Sequence, residues 1–183
     1  LVLIDAGAEY DYYAADITRT FPVNGKFTPC QKALYSIVLA AQKAAIAMVK
    51  PGNHWNQPHE AAVKVLTQGL LDLGLLSGDV DSLIEDEKYR EFYMHRTGHW
   101  LGMDVHDVGD YKIGGEWRVL EAGMVLTIEP GLYIRDLAHI DKKWHFIGIR
   151  IEDDVLVTKT GHDVLSHGAP KEIADIETLM AED

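Results

Sequence analysis

The sequence predicts an α+β domain. Three observations lead there: two strand-like stretches near the start, two more in the second half, and a pair of amphipathic helical stretches with start and stop signals between them. Strand and helix do not alternate strictly along the chain, which argues against a doubly wound sheet. The 183 residues, 47% hydrophobic and 9% aromatic, suffice for one domain with its own core and contradict disorder.

Leu1 to Ala6 and Ala15 to Phe21 read as strands, and Gly7 to Tyr13 leaves room for a hairpin loop. The opening Leu1-Val2-Leu3-Ile4 resembles a buried strand, yet it has no initiator Met and no preceding element to pair with, so the chain is expected to be a piece of a longer protein. Thr28-Pro29-Cys30-Gln31 offers a cap, a proline at the first helical position and a glutamine three residues after the cap; it opens a helix that runs to Val49 and stops at Pro51-Gly52. A second helix is predicted within Gln57 to Leu73, with Gly74 as its stop. Ser82 to Phe92 is charged and reads as a short helix or an irregular segment. Met124 to Ile134 and Ile147 to Thr158 read as strands joined by a charged, aromatic loop from Arg135 to His145. Pro170 is expected to open a last helix with Ile173, Ile176 and Met180 near one face.

Charge narrows the function classes. A formal net charge of −12 repels phosphate backbones and anionic headgroups, which disfavours nucleic-acid and membrane-surface roles. No apolar run approaches the length of a membrane span. The single Cys30 excludes an intrachain disulfide framework and agrees with a cytoplasmic setting.

Four acids stand in the strand stretches. If the first hairpin turns symmetrically, Asp5 and Asp16 fall opposite each other, and Glu129 and Glu152 have the same relation in the second. Like charges across a strand pair repel, and burying them uncompensated costs several kcal/mol each as an order of magnitude. Arg19 and Arg150 are the only obvious cations nearby, so divalent metal ions are the economical neutralisers. Oxygen-rich ligation with one imidazole suits Mn2+, Co2+ or Mg2+, and bridging carboxylates favour two ions over one. The run from His95 to Asp107 supplies His95, His99 and His106 among glycines, consistent with one ligand and two substrate-facing histidines. Each residue alone has a plainer reading: Asp5 as a turn carboxylate, Glu129 before Pro130-Gly131 as a strand end, Glu152-Asp153-Asp154 as a solvated acidic patch. His54, His59, His162 and His167 have no motif around them and are assigned to structure. The set gains weight because its members converge.

These residues resemble the creatinase/aminopeptidase/prolidase superfamily, most closely its aminopeptidase P branch. The anchors are Asp5-Ala6-Gly7-Ala8-Glu9-Tyr10 with Asp16-Ile17-Thr18-Arg19-Thr20-Phe21, the run from His95 to Gly109, Leu126 to Tyr133, and Gly148 to Asp154. The resemblance implies a pita-bread fold, incomplete at its N-terminal half, with residues 1–183 forming part of the catalytic domain. It implies two divalent metal ions, Mn2+ expected: Asp5 on one, His99 and Glu129 on the other, Asp16 and Glu152 bridging. Water or hydroxide between the ions would attack the peptide bond, with Glu129 as general base. His106 would steady the scissile carbonyl, His95 would line the proline side, and Tyr133 and Arg150 would support the ligands or the substrate pocket. Implied substrates are peptides with proline at the second position, whose tertiary amide lacks an N–H and needs a dedicated pocket. The intact protein would be a homo-oligomer.

Two other readings stay open. An Xaa-Pro dipeptidase shares the ligand set, although Trp100 after His99 and the short connection from Val108 to Glu121 look more like aminopeptidase P. A pita-bread module that only binds peptides is a different class, against which the intact ligand set argues.

Overall fold

The computed structural model describes residues 1–181. Glu182 and Asp183, the end of the expected domain, lie outside the described residues. In chain order the elements are β1 (Val2–Ala6), β2 (Ile17–Phe21), α1 (Pro29–Ala47), α2 (Gln57–Asp72), α3 (Val80–Glu85), β3 (Lys112–Ile113), β4 (Glu116–Trp117), β5 (Val125–Ile128), β6 (Gly131–Ile134), β7 (Ile147–Arg150), β8 (Asp153–Val157), β9 (His162–Val164) and α4 (Ile173–Leu179). Short 3-10 turns at Lys88–Glu91 and Lys142–Trp144 complete them. The mixture is α+β, as expected from the order of patterns.

The local signals explain most helix ends. Thr28 caps α1, its side chain accepting from the Gln31 amide while the Gln31 side chain accepts from the Thr28 amide, so two otherwise orphaned donors are satisfied reciprocally. Gly74, at φ +70, turns the chain after α2 where a side chain would be strained. Leu34, Val38, Ala41 and Ala45 of α1 recur at helical spacing and are fully buried, as are Leu66 and Leu70 of α2. The two helices pack on each other, and α1 also contacts β5, β6 and β7, whose Leu126, Ile128, Leu132 and Ile149 complete the same core.

Register decides where the acids sit. In the first hairpin Asp5 faces Thr18 rather than Asp16. The tight turn is centred on Asp11 and Tyr12, both at positive φ, with Tyr10 and Tyr13 exchanging backbone bonds at 3.0 Å. That centre is one residue later than Asp5 opposite Asp16 would need, and the partner shifts by two. An even shift preserves the face, because side chains alternate with period two. Asp5 and Asp16 are therefore diagonal neighbours on one side of the ribbon.

The two long strands expected in the second half are each broken in two. β5 pairs antiparallel with β8 and β6 with β7, with Ile128 opposite Asp153 and Gly131 opposite Arg150. The register carries through the break, which puts Glu129 opposite Glu152. Pairing lapses there because Pro130 has no N–H to give, leaving Ile151 N–H to the Pro130 carbonyl at 3.3 Å as the one bond across; the acids' own amides point outward, Glu129 N–H to the Thr97 carbonyl at 2.7 Å and Glu152 N–H to the Thr18 carbonyl at 3.0 Å. Those outward amides tie the second ribbon to the histidine segment and to the first hairpin.

Other expectations shift by small amounts. The last helix begins at Ile173 instead of Pro170, since the Ala169, Pro170 and Lys171 carbonyls accept side-chain bonds from Arg19 and Tyr35. The Val108 to Glu121 connection contains the unexpected hairpin β3–β4, turned by Gly114 and Gly115 at φ +60 and +90. Strand β9, also unexpected, adds to β8.

Arg19 neutralises a different acid from the four above. The fully buried Asp153 accepts from Arg19 Nη2 at 2.7 Å, Ser166 Oγ at 2.6 Å, Gln42 Nε2 at 2.6 Å and Lys171 Nζ at 2.5 Å. Burial pushes its carboxyl up, but Arg19 and these donors outweigh that and hold it below the ordinary range. One carboxylate thus fastens α1, β2, β8 and the segment leading to α4.

Candidate metal centre

Three segments converge on the open face of the two ribbons. The first hairpin brings Asp5 and Asp16, the ladder break brings Glu129 and Glu152, and residues 97–101, running alongside β5, bring His99. Thr127 N–H donates to the His99 carbonyl at 2.9 Å and Leu101 N–H to that of Val125 at 3.1 Å, so His99 rides on the same framework as Glu129. Gly98 allows that approach. A Cβ there would lie 1.9 Å from the Thr127 carbonyl oxygen, a backbone atom with no freedom to retreat. Gly98→Ala is expected to destabilise the protein by roughly 2 kcal/mol, read as a lower midpoint in thermal melting.

The donor atoms form three overlapping groups: Asp5, Asp16 and Glu152; His99, Glu129 and Glu152; and Asp16, His99 and His106. Within each, one donor atom per residue lies within 4.8 Å of the others. His99 Nε2 is 3.3 Å from Asp16 Oδ2 and 3.7 Å from Glu129 Oε1. Its Nδ1 is 2.9 Å from the Trp100 carbonyl, which can only accept, so the proton sits on Nδ1 and the Nε2 lone pair faces the acids. Burial pushes the His99 pKa down, favouring that neutral form.

The acids lack positive charge. Among the described residues Arg150 is the one guanidinium that reaches them, lying 2.5 Å from Asp5 Oδ2, 3.1 Å from Thr18 Oγ1 and 3.4 Å from Tyr133 Oη. Burial, then the neighbouring Asp5, raises the Asp16 pKa to about 7. Burial raises Glu129 to about 7, and burial with the Glu129 charge raises Glu152 to about 9. Four carboxylates against one cation, with a lone-pair imidazole turned inward, fit a pair of divalent cations.

His106 lies with its ring 4.3 Å from that of His99, on the Asp16 side. His95 lies on the other side, Nδ1 3.9 Å from Glu129 Oε2. Its Nδ1 donates to the Arg96 carbonyl at 2.8 Å, which leaves Nε2 to accept from Tyr133 Oη at 2.7 Å. The structure thus gathers all nine site residues singled out from sequence. It adds three that sequence reasoning passed over. Thr18 donates to Glu152 Oε2 at 2.5 Å, Thr127 Oγ1 accepts from His99 N–H at 3.2 Å and donates to Glu129 Oε1 at 3.5 Å, and the buried Asp154 accepts from the Asp16 amide at 3.2 Å. Thr18 and Thr127 stand two residues from Asp16 and Glu129, and strand alternation is the signal that could have found them.

Residues 1–159 match the model of metallopeptidase family M24. The chain belongs to metallopeptidase family M24, and its fold is the pita-bread fold. It is similar to the Xaa-Pro aminopeptidases of Haemophilus influenzae, 56% identical over 180 residues, and of Escherichia coli, 50% identical over 180 residues. Each alignment covers 98% of this chain, but 42% and 41% of those proteins. The solved aminopeptidase PepP of Pseudomonas aeruginosa superposes with a TM-score of 0.97 at 63% identity, over 98% of this chain and 41% of that one. The chain spans less than half the length of the relatives it matches.

Proposed function

We propose that this chain carries the metal centre of an Xaa-Pro aminopeptidase that removes the N-terminal residue preceding proline. The observation that carries the reading is the convergence of Asp5, Asp16, His99, Glu129 and Glu152 on one face with far too little positive charge to balance them. The relatives, Xaa-Pro aminopeptidases, supply the substrate class. Asp5 would hold one ion and His99 with Glu129 the other, Asp16 and Glu152 touching both. When bound, two such ions lower the pKa of water toward neutrality and polarise the scissile carbonyl. Glu129 would accept a proton from the attacking water and hand it to the proline nitrogen as that nitrogen leaves. His106 would donate to the carbonyl oxygen as it gains charge, and His95, with the tautomer set by Arg96 and Tyr133, would line the proline side.

Mn2+ is the proposed ion, on the strength of oxygen-rich ligation with one imidazole. The cytoplasmic setting rests on Cys30 alone and homo-oligomerisation on the family resemblance. Among the described residues no helix is long and apolar enough to cross a membrane. Assaying a tripeptide Xaa-Pro-Yaa beside a dipeptide Xaa-Pro tests the reading: cleavage of the tripeptide is expected, exclusive cleavage of the dipeptide would make the protein a dipeptidase, and no stoichiometric metal with no cleavage would leave a binding module.

The charge imbalance also sets a pH dependence for the metal-free protein. Asp16, Glu129 and Glu152 start from 3.8, 4.5 and 4.5 and are raised to about 7, about 7 and about 9, so they bind protons more tightly folded than unfolded. Their contribution to stability is complete below the unfolded values and is lost as the pH rises through the folded ones. Mn2+ is therefore expected to raise the melting temperature more at about pH 8 than at about pH 5.5. Equal metal-induced shifts at both pH values would contradict the assignment.

A further inference from the structure

His59 was given no role by its sequence surroundings, and its place in the fold gives it one. It enters from the first turn of α2, and its Nδ1 lies 2.8 Å from the Thr97 hydroxyl. The same hydroxyl lies 2.7 Å from Tyr93 Oη. Tyr93 is fully buried, and Thr97 is 2% exposed. Burial, then Arg96, holds the His59 pKa down at about 4, so the ring stays neutral and offers one donor and one acceptor nitrogen. A hydroxyl with one proton and two lone pairs can donate to one neighbour and accept from the other, which fixes it between them.

What Thr97 does with its backbone is the consequential part. Its carbonyl accepts the Glu129 amide at 2.7 Å, at the edge of the ladder break where β5 and β8 no longer hold that residue. Tyr93 meanwhile sets its ring edge-on to His95 at 4.9 Å. We propose that Thr97, clamped by His59 and Tyr93, is a positioning residue that fixes Glu129 and, through Tyr93, the ring of His95. The inference rests on the functional reading above for the meaning of Glu129. Its mechanical content is independent of that reading: a buried polar clamp between α2 and the 93–97 segment sets the anchor point of the Glu129 main chain.

The test is Thr97→Val, which removes the hydroxyl and keeps the branched shape. In the metal-free intact protein, hydrogen exchange at the Glu129 amide should speed up by about tenfold or more, while amides of the β5–β8 ladder such as Val155 keep their protection. In the Mn2+-loaded protein, kcat on an Xaa-Pro-Yaa peptide should fall by about tenfold with KM changed less than about twofold, because Glu129 serves the chemical step while His95 keeps its bonds to Arg96 and Tyr133. Thr97→Ser should restore both. Adding Tyr93→Phe to Thr97→Val removes the orphaned phenol and should recover melting temperature without recovering kcat. An unchanged Glu129 exchange rate, exchange quickened across the whole sheet, or joint recovery of stability and kcat in the double variant would each overturn the inference. A wild-type protein that cleaves no peptide would instead overturn the functional reading, and the exchange measurement would still decide the clamp.

Discussion

In the full-length protein, on the function proposed above, Glu129→Ala is expected to lower hydrolysis of an Xaa-Pro-Yaa peptide by at least about 10³-fold, because the substitution removes two things at once. One is an oxygen donor 3.7 Å from His99 Nε2, in the group shared with Glu152. The other is the carboxylate proposed to accept the proton of the attacking water. His99→Ala should fall as far by the first route alone, since the same ion loses its only imidazole. Metal analysis beside the kinetics separates the contributions: both variants should bind less than two equivalents of Mn2+, and Glu129→Gln should retain more metal than activity. Near wild-type turnover in either alanine variant would end the hydrolase assignment.

The second large effect is on stability and lies away from the reacting groups. Asp153→Ala is expected to cost about 3–5 kcal/mol, since it strands the charges of Arg19 and Lys171 and unbinds Gln42 and Ser166. Arg19 and Lys171 keep only 13% and 20% of their side-chain surface in water, too little to recover their solvation cheaply. For a protein of this size the melting midpoint should drop by roughly 10 °C or more. A fall of under about 2 °C would mean that the surrounding donors find other partners. The neighbouring Glu152 gives the variant a secondary effect on metal binding, so the melt belongs in metal-free protein.

The class of fold and the nine residues that the fold brings together were legible because their signals are local. Caps and stops such as Thr28, Gln31 and Gly74 act within a few residues, and a carboxylate in an apolar strand is conspicuous whatever it meets. Errors came where the outcome depends on distant partners. The Asp5 register turned on whether the loop is centred one residue earlier or later, a difference that Asp11 and Tyr12 do not advertise, since neither is a glycine. The break after Ile128 follows from Pro130, which was read as part of a strand, while the partners that Thr97 and Thr18 offer to the amides of Glu129 and Glu152 come from across the fold. Arg19 looked like a counter-ion for the four acids and instead serves Asp153. His59 could not be read at all, because Thr97 lies 38 residues away and no spacing rule links them.

The shared register on either side of the ladder break also limits how the gene can change. An insertion of one residue between Val125 and Glu129 would reverse the parity of the strand and swing the Glu129 side chain to the far side of the sheet. The twelve positions from 135 to 146 lie beyond the last rung, Ile134 opposite Ile147, and lengthening them leaves the parity of both acids intact. Length variation among descendants of this sequence should therefore collect in that loop and avoid the four residues ahead of the acid.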